Sequence, residues 1–461
     1  MTLCHQQSRG FPWKTPGIGD GEPRSDHWWR PAGLTQARAL GDLGIPYTIF
    51  ERNAAFGGLW NTDDPTSPIY DSAHLISSRY LTGFQDYPMP DDWADYPSRV
   101  HILEYIQSFA KDHGIAAHAR FNAEVSAATR VEGGWEVTTK DGTREKFRWL
   151  IAANGSNWKP VMPKWPGTFD GTLRHAASYK SPEEFADKKV LIVGLGNSGV
   201  DIACDAVRSA KSVDVSIRRG YHVIPKHIFG KPADVFSADS PGLPFPIRQR
   251  ILQKLLRVLI GDLGKYGMTK PDHRLMETHP LLNDQFIFHL RHGDLNLLSD
   301  IERLEGQMVY FKDGASGEYD EIICATGFDW EIPYIKEEML PWERGRIAPP
   351  LAIFPDVENL FLISFVESNG SSFSLFNDMS RIIARAILIE RDKPQEYQRL
   401  RKVLTETEFD VTGGLRMLNT DRHVGYMDNL AYRKALKKLI KMMSWPDEGR
   451  PLKPKHGWTS S

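Results

Sequence analysis

An α/β fold of two similar strand–turn–helix units, the second inserted within the first, is predicted by three observations. Lys189-Val-Leu-Ile-Val193 is a β-rich apolar run that breaks into Gly194, Gly196 and Gly199, after which Val200, Ile202, Ala203 and Ala206 resume at helical spacing. Pro31-Ala-Gly33 onward has the layout of the back half of a second such unit, with a helix, a turn at Gly44, a strand from Tyr47 and the acid Glu51 at its end. Lys140-Asp-Gly142 precedes Gly155 by thirteen positions, and Lys312-Asp-Gly314 precedes Gly327 by the same thirteen. A unit opened by a glycine turn and closed by a β-meander and a glycine-terminated strand therefore occurs twice. Both units read as Rossmann-like dinucleotide-binding domains. The expected divisions are an irregular N-terminus over 1–27, the first part of the outer domain over 28–159, the inserted domain over 160–327, and the return of the outer domain with C-terminal helices over 328–461.

Residues 1–27 are polar, rich in Gly and Pro, and show neither the helical nor the strand period, so irregular structure is expected. Residues 26–30, Asp-His-Trp-Trp-Arg, then stand where an apolar strand and the first two glycines of a fingerprint belong, with Trp28 and Arg30 at the glycine positions. Tryptophan has the single codon TGG. Reading this stretch one base later therefore forces two consecutive glycine codons and permits two isoleucines before them. With one base restored before Pro31, the shifted reading becomes Ile-Ile-Gly-Gly-Gly-Pro-Ala-Gly-Leu, a complete fingerprint whose third glycine is permitted but not forced. The residues before Pro31 are accordingly expected to be a frameshifted reading.

Further along, Gly57-Gly58-Leu59-Trp60 suits close passage of backbone along a ligand, a plain turn being the alternative. Residues 69–90 are aromatic-rich and irregular. Ile102, Leu103, Ile106, Phe109 and Ala110 mark a helical face over 100–113, and 121–151 alternate like strands. In the tail, 359–365 is a buried strand candidate, and 380–389 and 431–443 are amphipathic helices, the last with a lysine-rich face read as solvated.

The residue after the second strand of each unit selects the nucleotide. Glu51, about eighteen residues past Gly33, is placed to accept hydrogen bonds from ribose hydroxyls. In the inserted unit, strand 213–217 runs instead into Arg218-Arg219, and two guanidiniums suit a 2′-phosphate, so NADP(H) is the expected ligand there. A solvated arginine pair is the alternative.

Composition removes other classes. A formal net charge of -2 gives no basic excess for nucleic acid or an anionic membrane, and no apolar run reaches the length of a membrane span. Cys4, Cys204 and Cys324 form no close pair, which fits a reducing, cytoplasmic setting and argues against a dithiol redox centre. His289 and His292 lack a convincing third ligand, so no metal is expected, and no G-x-S-x-G elbow is present.

Phe169-Asp-Gly171-Thr-Leu-Arg-His175-Ala-Ala-Ser-Tyr179 fits the pattern F-x-G-x-x-x-H-x-x-x-Y. With Glu51, Gly57-Gly-Leu-Trp60, Ala325-Thr-Gly327 and Arg219-Gly-Tyr-His-Val-Ile-Pro225-Lys, it makes the chain resemble the flavin-containing monooxygenases, class B flavoprotein monooxygenases, across roughly residues 31–370. Tyr179 resembles the N- and S-oxygenating members more than the Baeyer–Villiger ones. The resemblance implies FAD in the first unit, at Gly33, Glu51, Gly58, Leu59 and Trp60. It implies NADPH in the second, at Gly194, Gly196, Asn197, Ser198, Gly199, Arg218 and Arg219, with Thr326 also in the cofactor-binding set. His175 and Tyr179 would belong to a segment coupling the domains. Ser78 stands where many relatives have Asn beside the flavin, which makes it the candidate catalytic residue, with one hydroxyl in place of an amide. The implied reaction passes hydride from NADPH to FAD, captures O2 as a C4a-hydroperoxide and transfers oxygen to an amine nitrogen or sulfide sulfur of a small molecule. A flavin reductase serving a partner and a non-catalytic NADP-binding protein are the rival readings. A homodimer is one option for its assembly.

Sequencing the gene across codons 26–31 checks the frame expectation. The expected outcome is a missing or displaced base immediately before the codon for Pro31, and an intact frame with no missing base removes a sequencing error as its cause.

Overall fold

Five short strands of the first unit form one sheet, and five of the second form another. In chain order they are β1 (Thr2–Cys4), β2 (Thr48–Phe50), β3 (Ala119–Arg120), β4 (Leu150–Ala152), β5 (Thr172–His175), β6 (Lys189–Val193), β7 (Ser212–Ser216), β8 (Asn296–Leu298), β9 (Glu321–Cys324) and β10 (Leu360–Leu362). The computed structural model describes residues 2–4, 31–239, 245–340, 342–343, 346–347, 349–420 and 423–446.

The second sheet runs β5-β9-β6-β7-β8 with every pairing parallel. Parallel strands covered on both faces should be apolar throughout, and Val190, Leu191, Ile192, Ile322 and Ile323 are all fully buried. The first sheet runs β10-β4-β1-β2-β3. The two orders correspond strand for strand, with β4 matching β9, β2 matching β7 and β1 occupying the place of β6. This is the doubled α/β architecture that the glycine spacing predicts.

Each repeat also carries its meander. Val125–Val131, Gly134–Thr139 and Arg144–Phe147 form an antiparallel three-stranded sheet before β4. Ile301–Gly306, Met308–Phe311 and Ser316–Glu318 do the same before β9, with Gly167–Phe169 added at the edge. The chain then returns, because β10 pairs in parallel with β4 and Trp135 of the first meander donates from Nε1 to Asn359 O at 3.1 Å.

Three helices place the two sites. α1 (Pro31–Asp42) carries Gly33 of the first unit, α2 (Asn197–Ala206) opens at the glycine turn of the second, and α3 (Phe373–Asp392) packs along α1. The α1–α3 seam includes a buried hydroxyl pair, Thr35 Oγ1 with Ser380 Oγ at 2.9 Å. The helix expected over 100–113 is Arg99–Asp112, and those expected over 380–389 and 431–443 are α3 and Asn429–Met442.

The N-terminus corrects one expectation. Residues 1–27 were read as irregular, yet Thr2–Cys4 form β1, paired antiparallel with both β2 and β4. Backbone donors and acceptors on two neighbouring strands must be satisfied, and any extended segment can do so. Residues 26–30, on which the frame expectation rests, lie outside the described residues. The slot itself is informative. Its counterpart in the second sheet is the parallel fingerprint strand β6, so the first sheet holds an antiparallel strand at the position where the repeat calls for a parallel one.

Candidate active site

The C-terminal edge of the second sheet gathers most of the sequence-derived candidates. Val193 ends β6 in register with Ser216 of β7 and Cys324 of β9, so residues 194–199, 217–219 and 325–327 leave the sheet side by side. Gly194 N–H donates to Ser216 O at 3.0 Å and Ala325 N–H to Val193 O at 2.8 Å, which holds the turn between its neighbours. This is the edge of a parallel sheet where nucleotides dock.

Two of the glycines are irreplaceable for different reasons. Gly194 has φ of +98°, in the left-handed region, and a Cβ there would lie 2.8 Å from Ala325 O. A Cβ on Gly199 would lie 2.1 Å from Gly194 O. Gly196 caps α2 without any side-chain acceptor, which leaves the first-turn N–H groups directed at the strand edge as donors for an anion. Ser198 is exposed there, whereas Asn197 is half-buried and its Oδ1 accepts the Leu282 N–H at 3.3 Å. Arg218 is exposed and Arg219 half-buried, and among the described residues neither is in an ion pair. Thr326 shares this edge, but its hydroxyl is taken by Val161 O, so it fastens the loop.

His175 sits at the end of β5, the edge strand of the second sheet. Its Nδ1 accepts the Ala177 N–H at 3.0 Å, which leaves Nε2 to donate to Gly327 O at 3.1 Å. Burial, its largest influence, lowers the His175 pKa, while the Gly327 contact opposes the shift. Tyr179 is fully buried, stacks on Phe185 and donates to Asp205 Oδ2 at 3.1 Å.

In the first unit Glu51 follows β2 and is 1% exposed. Its Oε1 accepts the Asn53 N–H, and among the described residues its Oε2 has no hydrogen-bond partner. Burial pushes its pKa well above the usual carboxylate range. An orphaned buried acceptor is costly, and ribose hydroxyls are the donors that would complete it. Gly33 is buried in the first turn of α1. Gly58, with φ of +62°, opens a single 3-10 turn with Leu59 and Trp60, and Gly58 is buried while the other two are half-buried. The loop beyond is fixed by Arg52, which pairs with Asp64 and donates to Thr66 Oγ1 at 2.8 Å.

Ser78 is fully buried and precedes the short helix Arg79–Thr82. Its backbone N–H and its Oγ both donate to Asp234 Oδ2, at 2.7 and 2.9 Å. Asp234 belongs to the second unit, on helix Ala233–Ala238, and sequence reasoning missed it. It also missed Asp201 and Asp205, whose signal was two acids spaced i, i+4 on a helix otherwise rich in buried apolar residues.

The comparisons define the class. Residues 31–453 match the FMO-like family, flavin-binding monooxygenase-like, and the chain belongs to it. It is a flavin monooxygenase, and the family's cofactors are FAD and NADPH. The chain is 30% identical to indole-3-pyruvate monooxygenase YUCCA1 of Oryza sativa subsp. japonica over 312 residues, covering 66% of this chain and 76% of that protein. Identity to flavin-containing monooxygenase 5 of Homo sapiens is 30% over 366 residues, covering 74% and 68%. To dimethylaniline monooxygenase 2, N-oxide-forming, of Pan troglodytes it is 28% over 432 residues, covering 87% and 80%. The fold is shared with S-allyl-L-cysteine S-oxygenase from Allium sativum, at TM-score 0.61 and 21% identity over 91% of this chain and 88% of that one. Cyclohexanone monooxygenase from Rhodococcus sp. Phi1 bound to NADP+ gives 0.63 and 17% over 89% and 96%. Among the described residues no helix is long and apolar enough to cross a membrane.

Both cofactors fit what the structure presents. The glycine turn is a cradle that a Cβ would fill, and Glu51 Oε2 is an acceptor that lacks a donor.

Two outcomes follow from this geometry. Gly199→Ala forces its methyl against a backbone oxygen and should weaken NADP+ binding by roughly a hundredfold or abolish it, since strain of about 2–3 kcal/mol falls on the turn; fluorescence titration with NADP+ reads this. A histidine whose pKa is lowered on folding contributes stability above its unfolded value of about 6.5, and that stability is lost as pH falls through the lower folded value. Melting temperatures measured from pH 7.5 down to pH 5, values spanning the ordinary histidine range of about 6.5, should therefore fall more steeply for the unmodified chain than for His175→Gln.

Proposed function

We propose that this flavin monooxygenase uses NADPH and O2 to oxygenate a nitrogen or sulfur atom of a small-molecule substrate. The observation that carries the nitrogen or sulfur reading is Tyr179 in the F-x-G-x-x-x-H-x-x-x-Y segment, where the Baeyer–Villiger type differs; the N-oxide-forming relative supports it by spanning most of the chain.

When bound, the flavin supplies the oxygen activation that no protein side chain can. The remaining roles fall to the chain. Glu51 Oε2 accepts from the FAD ribose hydroxyls, Gly33 lets α1 approach the nucleotide closely, and the turn 58–60 passes beside it. Residues 194–199 receive the NADPH pyrophosphate on backbone N–H groups, and Arg218 and Arg219 bind the 2′-phosphate. Thr326 fixes the adjoining loop through Val161. Ser78 is the candidate residue beside the reacting groups. Its hydroxyl proton points to Asp234, so the Oγ lone pairs are what it can offer a ligand.

A second reading is favoured by the similarity to indole-3-pyruvate monooxygenase YUCCA1: a 2-oxo acid substrate oxygenated at carbon. One experiment separates the two. The purified protein is incubated with NADPH and labelled O2 against a panel of tertiary amines, sulfides, indole-3-pyruvate and a cyclic ketone, with products read by mass spectrometry. N-oxides or sulfoxides carrying one labelled oxygen are expected. Label only in the oxo-acid product selects the second reading, and NADPH oxidation with no labelled organic product from any class overturns both. In the same assay Arg218→Ala should raise the KM for NADPH about tenfold and leave that for NADH unchanged, because a charge-assisted contact contributes about 1.5–3 kcal/mol.

A further inference from the structure

A set of part-buried hydrogen bonds crosses between the two units without touching any residue assigned to a cofactor. Beyond the loop held by Arg52 and Asp64, segment 67–78 of the first unit lies against α2. Tyr70 OH donates to Asp201 Oδ2 at 2.8 Å, and Ser72 Oγ donates to Asp205 Oδ2. Tyr179 OH donates to that same Asp205 oxygen at 3.1 Å, and Asn283 Nδ2 donates to Asp201 Oδ1 at 2.7 Å. The segment is held from its backbone as well. Lys180 Nζ donates to Ser67 O, and Lys226 Nζ donates to Leu75 O at 3.1 Å.

Packing alone does not call for this arrangement. Asp201 and Asp205 lie one turn apart on α2, so both carboxylates leave the same face of the helix. Asp205 is 3% exposed, and burial, the largest influence on Asp201, raises its pKa. Apolar side chains at these two positions would fill the same space without a desolvation cost. What the acids add is direction. A hydroxyl–carboxylate bond fixes where the donor sits, and each acid reaches into the first unit for one such donor. α2 is a short rigid rod of ten residues whose first residue closes the glycine turn. Whatever orients its N-terminus therefore also orients Asp201 and Asp205.

We propose that Asp201 and Asp205 are positioning residues, which tie the turn at 194–199 to segment 67–78 so that nucleotide on the second unit orders the first unit's segment. The proposal rests on the reading that NADP(H) binds that turn. Hydride passage between two cofactors on separate units needs one fixed relative orientation, and a pair of directional bonds on the fingerprint helix supplies it.

The test is amide hydrogen exchange on the whole chain, followed by mass spectrometry, with and without NADP+. In the unmodified chain NADP+ should slow exchange over 194–203, and also slow it roughly tenfold over 67–78, as expected when hydrogen bonds of about 1 kcal/mol apiece are stiffened together. Tyr70→Phe and Ser72→Ala each remove one hydroxyl from the first unit and leave α2 intact. Each should keep the slowing at 194–203 and lose most of it at 67–78, whereas Tyr80→Phe, outside the set, should behave as the unmodified chain. A full response at 67–78 in both variants, even with a lowered melting temperature, shows the bonds to be structural only and overturns the proposal, as does a segment that ignores NADP+ in the unmodified chain. No slowing at 194–203 in the unmodified chain overturns the nucleotide reading itself.

Discussion

The architecture depends on how closely the chain can pass itself where β6 ends. A turn that stays within van der Waals reach of Ala325, and a helix whose third residue presses on the Gly194 carbonyl, exclude every side chain from that point. With no side chain at positions 194, 196 and 199, backbone N–H groups at a helix start are left open beside Ser198, flanked by whatever the neighbouring strands deliver. β7 delivers two arginines and β9 delivers Thr326 and Gly327, the latter held by His175. The open backbone at this edge follows from a steric condition, and the charge comes second.

The first sheet repeats the frame around that point. Its strand order repeats that of the second sheet, its meander and its glycine-terminated strand are in place, and Glu51 has an oxygen unpaired among the described residues. Only the strand opposite β6 departs from the pattern. Thr2–Cys4 satisfy the donors and acceptors of β2 and β4, yet an antiparallel strand far from Pro31 in sequence cannot lead through a tight turn into α1. Backbone satisfaction and phosphate binding are thus separate requirements. The described residues of the slot meet the first, and the family match starts at residue 31, directly after the stretch that the codon argument questions.

Much of this was legible in the sequence because it rests on local signals. Glycine spacing, β-branched runs and i, i+3, i+4 apolar faces located both units, α2 and the helix Arg99–Asp112 to within a few residues, and marked only the middle of α3, which begins seven residues before the expected start. The recurring interval of thirteen residues revealed the doubled meander because a duplicated supersecondary unit preserves its internal length. What was not legible depends on partners distant in sequence. Nothing around Ser78 announces Asp234, which lies 156 residues away, and nothing around Tyr70 announces Asp201, which lies 131 away. The strand that ends at His175 was hidden for a related reason. A motif defines which residues recur, and only strand pairing shows that this one ends a strand of the second sheet.

Ser78 shows where these considerations meet. Its position in the first unit is set by a carboxylate of the second, since one Asp234 oxygen receives both the backbone and the side-chain proton. Lys226, on the same unit as Asp234, holds Leu75 three residues earlier, and burial lowers its pKa while Asp201, Asp284 and Asp234 oppose that shift. An asparagine here would bring an amide with two donors and a carbonyl acceptor in place of one hydroxyl, on a longer side chain, so the group offered to a ligand at this position would differ. With serine, the one hydroxyl proton is taken by the aspartate that faces it. The candidate catalytic position is a joint product of both domains, and its chemistry cannot be assigned from the first domain alone.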